Sequence, residues 1–118
     1  MKIYKCEGCD KIIINLGEQN GTTGKTEIIP GSVDAATEKH VPAVEFNGNT
    51  VTVKIGEVTH PMLPEHHIEW ILLETKKGFQ IKYLAAGDAP EAKFELVDDE
   101  PVAAYEYCNL HGLWKKEF

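Results

Sequence analysis

The chain has 118 residues, 42% apolar and 26% charged, which suits one hydrophobic core with at most a small appended element. Its formal net charge of −7, with no Lys/Arg cluster, speaks against nucleic acid and against anionic membrane surfaces as partners. No apolar run is long enough to span a bilayer, and "MKIYKCEGCDK" lacks the apolar core of a signal peptide, so a cytoplasmic protein is expected.

Residues 1–36 have their own character and are expected to form a small N-terminal β segment, separate from a domain over 37–118. "KIYKCEGCDKIIIN" predicts two short strands joined at a turn between Cys6 and Cys9, and "LGEQNGTTGKTEIIPGS" has the composition of a loop. From residue 41 the pattern alternates. "VPAVEF" runs through Asn47-Gly48, a strong hairpin signal, into "NTVTVKIG", where Val51, Val53 and Ile55 share one face. After a Pro-rich stretch, "HIEWILLETKKGFQIKYLAAG" predicts two strands with Ile68, Trp70 and Leu72 on one face and a turn at Lys77-Gly78. "AKFELV", "PVAAYEYC" and "GLWKKEF" complete about seven short strands without a convincing helix. The expected fold is all-β, an antiparallel β-sandwich.

Three cysteines, an odd number, do not make a disulfide framework and point to metal or redox chemistry. Candidate ligands stand in three places: His40 in "EKHVP", His60 and His66 in "THPMLPEHHIEW", and Cys108 with His111 in "YCNLHGLW". Pro61 and Pro64 make the middle segment a stiff loop rather than a helix. Each residue alone reads most simply as a buried thiol or a hydrogen-bonding imidazole. Together they supply four imidazoles and one thiolate, more than the tetrahedral set of structural zinc, and the thiolate tilts the site toward a soft or redox-active metal. Five ligands leave one position of an octahedral ion open to a small molecule. On iron(II) the site would carry a single net positive charge and favour an anion. A copper carrier of sandwich fold would use two His, one Cys and a weak axial Met, but no Met follows His111 and three histidines would be superfluous. A copper or iron electron-transfer or metal-binding sandwich without catalytic turnover is therefore the alternative.

"EKHVP", "HPM…EHHIEWI" and "CNLHGLWK" together resemble the superoxide reductases, the neelaredoxin and desulfoferrodoxin family, over roughly residues 37–118. The resemblance implies an immunoglobulin-like sandwich with one mononuclear iron. His40, His60, His66 and His111 would lie in the plane and Cys108 would be the axial thiolate. His67 matches no ligand position. The implied activity is one-electron reduction of superoxide to hydrogen peroxide. Lys39 would attract superoxide and help deliver protons, and Glu38 would bind the ferric ion after turnover; read without the resemblance, the two are solvated charges. "YKCEGC" resembles the start of a desulforedoxin-like domain, but no second cysteine pair follows, so no four-cysteine iron centre is expected within one chain; the segment reads as a remnant, with Cys6 and Cys9 as a reversible disulfide or as ligands of a site shared across a dimer the alternatives. Re-reduction would then depend on a rubredoxin-like donor. A homo-oligomer, dimer or tetramer, is also expected.

Overall fold

The computed structural model describes residues 1–9, 11–16, 24–32 and 37–118, the Glu38 side chain excepted. The chain divides into two compact units, Met1–Pro30 and Gly31–Phe118. The division expected at residue 36 falls among residues 33–36, which lie outside the described residues.

In the first unit, β1 (Ile3–Cys6) lies between β2 (Ile12–Ile14) and β3 (Lys25–Glu27), antiparallel to both. The expected hairpin is present, but β3 corrects the sequence reading, which made that stretch loop. Three residues are too few to show a period, and β3 exists because β1 offers it a free edge. Glu7 and Ile28 N–H groups, bonded to the Gly24 and Ile3 carbonyls at 2.9 and 2.8 Å, extend that pairing. Cys6 and Cys9 are joined as a disulfide across the turn, their Cα atoms 5.5 Å apart.

The second unit opens with a single helical turn, α1 (Thr37–His40), where the sequence predicted no helix. One turn is too short for an apolar stripe to declare it. Seven strands follow: β4 (Pro42–Asn47), β5 (Thr50–Ile55), β6 (Ile68–Thr75), β7 (Gly78–Tyr83), β8 (Glu91–Glu95), β9 (Pro101–Cys108) and β10 (Gly112–Glu117). They form two antiparallel sheets, ordered β10-β9-β6-β7 and β4-β5-β8, the immunoglobulin-like sandwich expected. The first hairpin pairs Asn47 with Thr50, so its two turn residues are Gly48 and Asn49, with Gly48 at φ 62°. The β6–β7 turn is Lys76-Lys77, with Gly78 opening β7.

Val51, Val53 and Ile55 of β5, with Ala92 and Phe94 of β8, pack in the core against Ile68, Ile71, Leu73, Ala104 and Cys108 of the larger sheet. Enclosing Phe94 completely is worth roughly 2–3 kcal/mol. The predicted face Ile68–Trp70–Leu72 is not the one observed. A register shift between Ile68 and Trp70, where β6 pairs with β9, turns Ile68, Ile71 and Leu73 inward instead. Alternation cannot reveal a bulge, because the extra residue moves every later side chain to the other face. The bulge also keeps Ile68 opposite Cys108, so the segment before β6 runs beside the end of β9. Among the described residues, no helix is long and apolar enough to cross a membrane.

Candidate metal centre

Three connections at one end of the sandwich carry the predicted ligands. His40 ends α1 immediately before β4, and His60 and His66 lie between β5 and β6. Cys108 ends β9, and His111 sits in the turn to β10. The middle segment is an extended loop, as its prolines require. Leu63 and His66 exchange backbone hydrogen bonds of 2.9 and 3.1 Å around Pro64-Glu65, forming a miniature hairpin that fixes where His66 starts. A further bond of 2.8 Å, from Gly87 N–H to the Met62 carbonyl, ties the loop to the β7–β8 connection.

The ligand atoms of His40, His60, Cys108 and His111 all lie within 4.8 Å of one another. His66 stands outside that tightest group but completes a closed ring of imidazoles. Ring centroids are 4.6 Å apart for His40–His60, 4.8 Å for His60–His66, 5.0 Å for His66–His111 and 4.9 Å for His111–His40, each pair meeting edge to face. The nitrogens that face inward can be identified. His60 Nδ1 is engaged with the Pro61 carbonyl at 2.7 Å, which fixes the tautomer and leaves Nε2 as a lone-pair donor. His60 Nε2 and His66 Nε2 are buried without a hydrogen-bond partner. His40 Nε2 faces His111 Nδ1 at 3.1 Å. Buried polar atoms ordinarily find partners, so two unpartnered ring nitrogens on neighbouring imidazoles mark a place suited to a cation. Neighbouring ligands each about 2.1 Å from a shared ion stand roughly 3 Å apart, the spacing of the His40–His111 pair. The residues fit a metal ion.

Electrostatics agree with that fit. Burial, followed by repulsion from His60, His111, His66 and Lys39, pushes His40 down to about 4. Burial is also the largest cause of the lowered values of His60 and His66. These three imidazoles are therefore neutral at pH 7, the form that binds metal. Burial pushes the Cys108 thiol up, while backbone N–H groups of His111 and Leu110, directed at the sulfur, oppose it. Lys39 is exposed, yet its charge is felt at His40, His60 and His66. The Glu38 side chain lies outside the described residues. His67 turns away, with Nδ1 2.9 Å from the Leu63 carbonyl oxygen.

The structure adds four residues that the sequence reading did not single out. Glu106 is fully buried, its Oε1 3.4 Å from His40 Nδ1, within ion-pair reach but without hydrogen-bond alignment. Its alternation parity with Cys108 was the available signal, since an acid two residues before a buried thiol shares its face. Trp114 stacks on His40, with centroids 4.9 Å apart and planes 12° apart, and its indole N–H donates to the His111 carbonyl at 3.0 Å. Asn109 joins two ligand-bearing segments. Its Nδ2 donates to the Glu65 carbonyl at 3.0 Å, its Oδ1 accepts from His67 N–H at 3.0 Å, and its own N–H reaches the His67 carbonyl at 3.2 Å. Gly56, at φ +81°, lets the chain pass so close that a Cβ there would lie 2.6 Å from the Lys39 carbonyl oxygen.

A sandwich whose loops bring four imidazoles and a buried cysteine thiol together defines a metal-binding protein of mixed nitrogen–sulfur type. More particularly, the chain belongs to the desulfoferrodoxin family, whose model matches residues 32–117. A desulfoferrodoxin from Syntrophotalea carbinolica is 42% identical, over 99% of this chain and 96% of that one. A superoxide reductase from Pyrococcus horikoshii is 36% identical, over 73% of this chain and 90% of that one. The crystal structure of the superoxide reductase from Treponema pallidum superposes with a TM-score of 0.81 at 40% identity, covering 99% of this chain and 100% of that one.

Proposed function

We propose that the chain is a superoxide reductase, which takes one superoxide, one electron and two protons to hydrogen peroxide. It would work at a single iron held by His40, His60, His66, His111 and Cys108. The observation that carries the reading is the closed ring of four imidazoles with a buried cysteine thiol beside it. Iron, when bound, supplies the electron by passing between its ferrous and ferric states.

The chain's own residues determine the rest. Neutral imidazoles and one thiolate leave the ferrous site with a single positive charge, which favours an anionic guest. Cys108 donates electron density to the metal, and the two backbone N–H groups aimed at its sulfur temper that donation. Trp114 covers one face of His40 and keeps water from it. Lys39 Nζ draws the anion toward the site and hands on protons, directly or through water. Glu38 would offer its carboxylate to the ferric ion after turnover. An external one-electron donor of rubredoxin type would return the iron to its ferrous state. We extend the proposal to a cytoplasmic homo-oligomer.

Elemental analysis and visible spectroscopy of the purified chain test this reading. A single iron per chain is expected, with a thiolate-to-ferric absorption band on oxidation that disappears in Cys108→Ser. Superoxide should be consumed with release of peroxide and no oxygen. Zinc or copper in place of iron, or oxygen evolution at the dismutation ratio, would refute it.

A further inference from the structure

We propose that Cys6 and Cys9 form a second redox site, free of metal: a surface dithiol–disulfide couple that exchanges two electrons with thiol reductants. The inference goes beyond the iron chemistry and does not depend on it. Cys108 is enclosed in the sandwich, which leaves these two as the cysteines open to solvent chemistry; Cys9 is exposed and Cys6 half-buried. They are already joined as a disulfide. Two thiolates are half of a tetrahedral set, and among the described residues no other His, Cys, Asp or Glu joins them as a potential ligand group.

The turn that holds the pair does not need the sulfur–sulfur bond. Cys6 N–H donates to the Lys11 carbonyl at 2.8 Å, and Glu7 N–H to the Gly24 carbonyl at 2.9 Å. Strand β1 is paired on both edges, and Gly8 supplies the left-handed conformation (φ +81°) at the turn. A disulfide closing so short a loop removes less entropy from the unfolded chain than a long-range one, so its loss should cost the unit comparatively little. The backbone bonds that hold the turn are thus independent of the sulfur–sulfur bond, as a reversible couple requires.

The two sulfurs are not equivalent. Exposure makes Cys9 Sγ the one that an incoming thiolate attacks. The S–S bond breaks and its electron pair leaves on Cys6 Sγ, which takes up a proton. The Glu7 carbonyl oxygen, 3.7 Å from Cys6 Sγ, is placed to accept from the new S–H. The reductant's second thiol then attacks its own sulfur in the mixed disulfide and releases Cys9. Two thiols of the reductant have become one disulfide, and two electrons and two protons have passed to the pair.

The test uses the full-length, iron-loaded chain, equilibrated without air in glutathione buffers of graded ratio, then alkylated and weighed intact. The expected result is a reversible transition in which two thiols appear together, with Cys108 unalkylated and the iron retained. In Cys6→Ser, oxidised glutathione should add to Cys9 faster than it adds to Cys6 in Cys9→Ser. A pair that stays closed, or stays open, across the whole range of ratios overturns the proposal. So does uptake of an extra half cobalt(II) per chain on reduction with a four-thiolate spectrum, which would make the pair a metal site shared between two copies. Faster addition at Cys6 would overturn the assigned order of attack.

Discussion

Among the described residues, Glu106 is the acid that the fold encloses completely, and burial pushes its carboxyl up to about 9. It stands against the far nitrogen of His40, where a carboxylate can fix the tautomer and aim the near nitrogen at a metal. Trp114 restrains the same ring by stacking, so His40 is held from two sides. Gly56 acts through the backbone, because its missing Cβ lets Lys39 and His40 enter the site at all. Gly56→Ala should cost about 2–4 kcal/mol, from backbone strain and from a contact no side-chain motion can relieve. Thermal unfolding should show a Tm lower by roughly 10 °C or more, with weaker metal retention. The His and Cys residues that the fold brings together were legible in the sequence because they are few and stand near Pro or Gly. Glu106 and Gly56 were not, since one matters through burial and the other through a neighbour distant in sequence.

At the scale of elements, the centre depends on how two connections are tied. The loop with His60 and His66 and the turn with Cys108 and His111 meet through three hydrogen bonds of Asn109. Asn109→Ala removes both side-chain bonds and should weaken metal binding by about 10- to 100-fold, read by competition between cobalt(II)-loaded protein and a chelator. Asn109→Asp keeps the acceptor for His67 N–H and loses the donor to Glu65, so it should fall between. Unchanged affinity in the alanine variant would show that the loop is positioned by its prolines alone. The strands were legible from alternation, and seven were expected and found. What periodicity could not supply was the bulge in β6, the single turn of α1 and the short β3, each set by pairing or packing across the chain rather than by local pattern.

For the whole molecule, the net charge of −7 repels superoxide at long range, while Lys39, in the role proposed for it, would attract it locally. Screening over about 8 Å at physiological salt lets the nearby cation dominate. Lys39→Ala should lower the second-order rate with superoxide by about tenfold at low ionic strength, and added salt should then raise the rate rather than lower it. Pulse radiolysis across a salt series decides this, with iron content as the control. Composition made that prediction possible, but not the arrangement of the protons. With His40, His60 and His66 neutral and burial favouring the protonated Cys108 thiol, the centre should act as an acid on taking up metal. Of these four groups only the thiol has a proton to give, so uptake of a divalent ion at pH 7 should release one per site, measurable by calorimetry in buffers of different ionisation enthalpy. A second released proton would come from Glu106, and counting them would show whether a carboxylate forms behind His40 as the metal arrives.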